Sequence, residues 1–258
     1  MDLGLNGRTA LVTGASKGIG LATARILAAE GVNVTLVART ESELVDAAAS
    51  VEGPGTATPF PADLSREAER LRLAQSVGPV DILINNAGAI PGGNLLEFDD
   101  ARLKDVWELK LFGYISLCRQ YYAMMKEAGH GVIVNIIGAA AEALDFEYIM
   151  GSTANAGLCA FTRTLGSQSF RDGIRVVAIN PGPVETGRLE TLMRKKAADR
   201  TGSADNWEQL KAPLPFARAA SPEEIGAMAA MLASDRSAYT SGTVVTIDGG
   251  IASQSRSF

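Results

Sequence analysis

Gly14, Gly18 and Gly20 fall in the run Thr13-Gly14-Ala15-Ser16-Lys17-Gly18-Ile19-Gly20, directly after the apolar stretch Thr9–Thr13. Glycine at the first position permits the backbone angles of a tight turn. At the other two, the missing side chains let a pyrophosphate approach the backbone and a helix pack close to its strand. A helix opening here offers free N–H groups and a positive dipole end to that anion. An ordinary strand-to-helix turn can also be glycine-rich. The position after the first apolar strand of an alternating chain is what favours a dinucleotide site, with Ser16, Lys17 and Ile19 completing the turn.

The next stretch of chemistry follows the second apolar run, which ends Val37-Ala38-Arg39-Thr40. In α/β dinucleotide folds an acid here holds the ribose hydroxyls of NAD, whereas an arginine accepts the 2′-phosphate of NADP. Ala38 is not acidic, Arg39 can make bidentate contacts, and Lys17 adds a nearby positive charge. NADP(H) rather than NAD(H) is the expected cofactor.

Those residues need a scaffold, and the chain supplies one by alternating short β-rich runs with helical patterns. Strands are expected at 9–13, 34–37, 57–61 (edge-like), 81–85, 132–137, 174–179 and 243–247. Helices are expected at 19–30, 41–50, 101–127, 152–170 and 222–233. Continuous apolar strands separated by helices imply a parallel sheet covered on both faces. The expectation is one Rossmann-like, doubly wound α/β domain over residues 1–258, with a seven-stranded, mainly parallel sheet. The stretch 183–215 reads as irregular and is expected to be a substrate lid. Its Leu189, Leu192, Met193 and Trp207 could close an apolar pocket, and Arg194-Lys195-Lys196 reads as a solvated helix face.

Composition limits the alternatives. Of 258 residues, 47% are hydrophobic and the net charge is -5, which argues against nucleic acid or an anionic membrane as main partner. The two cysteines, Cys118 and Cys159, lie far apart in the sequence and away from the sole histidine, His130, so neither a disulfide framework nor a zinc site is expected. No apolar run is long enough to span a bilayer and the first residues carry no signal pattern, so a cytoplasmic location is the expectation.

Further motifs recur at strand ends: Asp63-Leu64, Asn85-Asn86-Ala87-Gly88, Asn180-Pro181-Gly182-Pro183-Val184-x-Thr186 and Asp248-Gly249-Gly250. Together with the glycine turn, they make the chain resemble a single-domain short-chain dehydrogenase/reductase over nearly its whole length. The resemblance implies that Asp63 and Leu64 line the adenine pocket. It also implies that Asn86, Ala87 and Gly88 back a ribose, and that Pro181, Gly182, Val184 and Thr186 flank the nicotinamide. It further implies a homodimer or homotetramer paired through the helices near 101–127 and 152–170. Phe112, Tyr114, Leu117, Leu158, Phe161 and Leu165 are expected to supply spare apolar surface there.

The same resemblance exposes a departure. Family members that reduce carbonyls use a tyrosine as proton donor and a lysine four residues later, which lowers its pKa and holds the ribose. They add a serine at the carbonyl oxygen and an asparagine in the long helix. The matching positions here are Gly151, Asn155, Gly138 and Lys110. Loss of a general acid costs roughly 10²–10⁴ in rate, so the usual mechanism cannot run unaided.

Three readings follow. The first is an active oxidoreductase on a small apolar carbonyl or alcohol with a rebuilt site. In it Tyr148 replaces the missing phenol from about 4.5 Å up the same helix face, and Lys110 supplies the charge that Asn155 lacks. The second is a catalytically idle NADP(H)-binding module, a sensor or a subunit of an oligomer. The third is different chemistry through carboxylates such as Asp145 and Glu147. The intact Pro181-Gly182-x-x-x-Thr186 motif favours the first.

Overall fold

A computed structural model of the chain describes residues 2–88 and 90–254. Its strands are β1 (Thr9–Thr13), β2 (Asn33–Ala38), β3 (Ala57–Pro61), β4 (Ile82–Asn85), β5 (Gly131–Ile136), β6 (Ile174–Pro181) and β7 (Val244–Ile247). They lie in one seven-stranded sheet in the order β3-β2-β1-β4-β5-β6-β7. Every pairing is parallel, so the expected "mainly parallel" sheet is wholly so. The chain winds outward from β1 to β3, then returns to lay β4 on the other side of β1. Ligands of doubly wound sheets bind beyond the strands' C-terminal ends at such a reversal.

The strands are apolar throughout because both faces are covered. Leu11, Val12, Leu36, Ile82, Leu83, Ile84, Ile133 and Val177 are fully buried, each such side chain contributing roughly 1.5–3 kcal/mol. Helices α1 (Gly18–Ala29), α2 (Glu41–Ala49) and α8 (Pro222–Ala233) contribute to the core on one face. On the other lie α3 (Glu67–Val77), α5 (Tyr114–Ala128) and α6 (Ile149–Gly166). α8 starts on a capping box, in which Ser221 accepts from Glu224 N and Glu224 accepts from Ser221 N, with proline in the first turn.

Four expectations need correction. The helix expected over 101–127 is α4 (Asp100–Trp107), a π-helical turn (Glu108–Gly113) and then α5. π-Turns inside α-helices are frequent at functional sites, and this one carries Lys110. α3 is an element the apolar pattern missed, because its buried stripe is only Arg70, Leu73 and Ala74. The helix expected over 152–170 begins earlier and ends at Gly166. The stretch 183–215 is not irregular: it contains α7 (Gly187–Thr201), capped by Thr186 and ended by left-handed Gly202 (φ 76).

The apolar surface expected on the pairing helices is also smaller than the sequence suggests. Tyr114, Leu117 and Leu158 are buried within the subunit itself, Phe161 and Leu165 are half-buried, and Phe112 is exposed. Among the described residues no helix is long and apolar enough to cross a membrane.

Candidate active site

The glycine turn forms the first half of the site. Gly14 (φ 65) and Gly18 (φ 57) occupy the left-handed region. A Cβ on Gly20 would sink into the Gly14 carbonyl, so α1 could not start where it does. Lys17 is the N-cap of α1 and makes no side-chain capping bond, and no acid stands in the first turn. The helix therefore opens with bare N–H groups and its positive end uncompensated. From β4, Asn86 braces the turn, its Nδ2 donating to the carbonyls of Thr13 (3.0 Å) and Gly14 (3.1 Å). Thr13 Oγ1 in return accepts from the backbone N–H of Asn86 (2.9 Å) and of Ala87 (3.0 Å). Asn86 and Ala87 thus fix the cradle's shape.

The remaining expected cofactor residues line the same sheet edge. Arg39, at the end of β2, is exposed and has no hydrogen-bond or ion-pair partner among the described residues. Lys17 is not equally free: its ammonium lies 3.5 Å from Glu43 on α2, a contact the sequence did not suggest. Past β3, Asp63 accepts from both the N–H and the hydroxyl of Ser65, and Leu64 is buried. Pro181 ends β6, and Gly182 N donates to Ile247 O on β7 (2.9 Å). A Cβ on Gly182 would lie 2.7 Å from Asp248 Cβ, which ties the two glycine motifs together. Val184 is buried and Thr186 Oγ1 accepts from Leu189 N to start α7. A Cβ on Gly18 would stand 3.1 Å from Thr186 Cγ2, so the head of α7 faces the glycine turn.

The second half lies beyond β4 and β5. Tyr148 is the residue just before α6 rather than part of it. Its ring nevertheless fills the space a side chain at Gly151 would need, since a Cβ there would fall inside the ring. The backbone of Tyr148 is tied down by a parallel bridge to Gly93, whose N–H donates to Glu147 O (2.6 Å). Its hydroxyl accepts from Arg188 Nη2 at 3.1 Å. Arg188 also donates to Gly88 O (3.2 Å) and Ile90 O (3.0 Å), so one guanidinium holds the head of α7, the loop after β4 and the phenol together. Arg188 was invisible to sequence reasoning.

Lys110 is buried, its stem against Gly88, where a Cβ would meet its Cδ. Its ammonium donates to Tyr114 Oη (2.9 Å) and to Ile136 O (2.8 Å), and Tyr114 Oη itself donates to Ile136 O (2.9 Å). Burial, aided by the Arg188 cation, pulls the Lys110 pKa down to about 7. Burial likewise holds the Tyr114 phenol well above its ordinary value. Gly138 has φ 148 and ψ 140, a region open to glycine, and a Cβ there would lie 2.9 Å from Asn155 Nδ2. Asn155 is buried, reaches Gly138 O at 3.5 Å, and leaves its Oδ1 without a hydrogen-bond partner. An orphaned buried acceptor costs about 1–3 kcal/mol, which a donor from a bound molecule would recover.

Asp145 and Glu147 are exposed and form a turn in which Asp145 accepts from Glu147 N. Trp207 is covered by Arg194 (5.2 Å to the ring centre) and Lys211 (5.0 Å), and Arg194 is also paired with Glu190. Met193 is buried, Leu189 half-buried and Leu192 exposed.

A bare helix start, glycines whose side chains the cradle would not tolerate, an unpaired Arg39 and an orphaned Asn155 acceptor together fit a nicotinamide dinucleotide. Comparisons agree. A family model described as enoyl-(acyl carrier protein) reductase matches residues 14–252. Oxidoreductase UcpA of Salmonella typhimurium is 34% identical over 255 residues, 95% of each chain. Galactitol 2-dehydrogenase (L-tagatose-forming) of Cereibacter sphaeroides is 32% identical over 95% of each chain. The solved structure of L-sorbose reductase from Gluconobacter frateurii, complexed with NADPH and L-sorbose, is similar with a TM-score of 0.89 and 30% identity over 98% of this chain and 100% of that one. NAD+-bound xylitol dehydrogenase is similar with a TM-score of 0.87 and 28% identity over 95% and 99%.

Proposed function

This chain belongs to the short-chain dehydrogenase/reductase family, and from that premise we propose that it is an NADP(H)-dependent oxidoreductase of small apolar carbonyls or alcohols, working through a relocated proton donor. The observation that carries this reading is the Tyr148 ring lying in the space left by Gly151. A nicotinamide held at this sheet edge would supply or accept the hydride. Tyr148 Oη gives its proton to the substrate oxygen in reduction and takes it back in oxidation. Arg188 donates to Tyr148 Oη and stabilises the charge the departing proton leaves behind there. Lys110 Nζ can hold or release a proton near neutrality and passes hydrogen bonds through Tyr114 to the end of β5. Asn155 Oδ1 would accept from a cofactor hydroxyl, a role for a neutral acceptor where the family's lysine is a donor. Exposed Leu144 and Phe146, just before Tyr148, give an apolar approach to the phenol, and α7 acts as the lid.

The test is purified protein with NADPH and a panel of apolar ketones and aldehydes, followed by NADPH oxidation. Oxidation that depends on the carbonyl is the expected result. A second reading has its own observation. Lys110 and Tyr148 both already spend hydrogen bonds inside the protein, as purely structural groups would. Tight NADPH binding in calorimetry with no turnover of any carbonyl or alcohol would establish the idle module instead. We also propose a homodimer or homotetramer, supported by the exposed Phe112 and Phe170 and read by light scattering at micromolar concentration.

A further inference from the structure

Glu43 Oε2 is approached by two donors from the glycine turn, the Ser16 hydroxyl at 3.4 Å and the Lys17 ammonium at 3.5 Å. Glu43 lies in the first turn of α2, four residues after Arg39. Three elements therefore meet at one spot: the glycine turn, the end of β2 and the start of α2. In a doubly wound dinucleotide fold the adenosine ribose lies beyond the end of the second strand. An anion already occupies that neighbourhood. A carboxylate oxygen facing a hydroxyl and an ammonium has the donor set that a phosphate oxygen would seek. Arg39 is unpaired, while Lys17 is shared with the resident acid.

We infer that Glu43 is a specificity-determining residue that opposes the 2′-phosphate, so cofactor preference is set by Arg39 and Lys17 acting against it. The inference rests on the NADP(H) reading above. When the dinucleotide carries a 2′-phosphate, Glu43 gives up Ser16 and Lys17 to it and stays nearby as a like charge. When it carries a free hydroxyl, Glu43 keeps both donors. The pair is solvent-exposed, with side-chain exposures of 79% for Lys17 and 49% for Glu43, so the effect is modest and screened. A unit charge about 6–12 Å from a dianion in a water-like medium corresponds to roughly a 3–10-fold change in affinity.

The experiment is calorimetric titration of NADPH and NADH into the whole protein and its Glu43→Gln, Glu41→Gln and Arg39→Ala variants, at low and at high salt. Glu41 shares the first turn of α2 but makes no hydrogen bond or ion pair with Ser16 or Lys17 among the described residues, so it reports a general change of charge. Glu43→Gln is expected to tighten NADPH about 3–10-fold, change NADH less than about twofold, and lose most of its gain in high salt. Glu41→Gln is expected to shift the NADPH-to-NADH ratio less than about twofold. An unchanged or lower ratio in Glu43→Gln overturns the inference, as does an equal gain in Glu41→Gln. An unchanged ratio in Arg39→Ala overturns the NADP(H) preference alone, leaving the Glu43 arm to be read separately.

Discussion

The two halves of the sheet's C-terminal edge are built from different material. Around β1 and β4 the site is backbone: left-handed glycines, a bare helix start and carbonyls braced by Asn86. Around β5 and α6 it is side chains, and there our proposal matches Gly138, Gly151, Asn155 and Lys110 to the positions of the family's catalytic residues. A backbone cradle tolerates no relocation, because its groups are placed by the fold itself. A side-chain site can be moved by one turn if a neighbour reaches the same volume. The Tyr148 ring in the side-chain space of Gly151 is what our proposal reads as such a move, and Arg188 tethers it from a third segment.

The contrast can be tested first where the effect is largest. Tyr148→Phe should lower turnover by roughly 10²–10⁴-fold while leaving NADPH affinity unchanged. Gly151→Ala should act in the same direction by pushing the ring out, and the double variant should add little, since both remove one group. Additive losses would mean that the two positions do not share a role. The backbone half should answer in binding instead. Arg39→Ala should weaken NADPH by roughly 1.5–3 kcal/mol, about 10–100-fold, with NADH nearly unaffected, as calorimetry reads.

The last effect concerns Lys110, in stability rather than rate. Burial lowers its pKa to about 7 in the folded chain, against about 10.4 when unfolded. Between those values the unfolded chain binds a proton that the folded chain lacks, so this group makes stability rise with pH across that window. At pH 7 and below the burial penalty is fully present. Lys110→Met should therefore be the more stable protein at pH 7 by a few kcal/mol at most, with the gap closing towards pH 10. Denaturant melts at the two pH values measure it. A variant that is less stable at pH 7 would mean that its bonds to Tyr114 and Ile136 outweigh desolvation.

The legibility of the chain follows the same divide. The strands and the glycine cradle could be read because local sequence dictates them: apolar runs, and glycines where a Cβ would collide. Arg188 could not be read. Its acceptors Gly88, Ile90 and Tyr148 lie 100, 98 and 40 residues away, and only the fold brings them together. Glu43 was missed for the same reason, being 26 residues from Lys17. α3 and α7 escaped because they are highly charged and bury narrow stripes. Even so, Thr186 and Gly202 bracket α7 as an N-cap and a left-handed stop, signals present in the sequence but read as loop.

The overlap of Tyr148 with the side-chain space of Gly151 has a consequence for inheritance. Two residues that compete for one volume cannot both be large. A lineage that moves its phenol from one to the other must pass through a sequence with a small residue at both, or make the two changes together. Among homologues, residue size at the two positions should therefore be anticorrelated: glycine at 151 where 148 is aromatic, a small residue at 148 where 151 is aromatic. An ancestor between the two arrangements would have kept its cofactor cradle intact while briefly holding no proton donor at all.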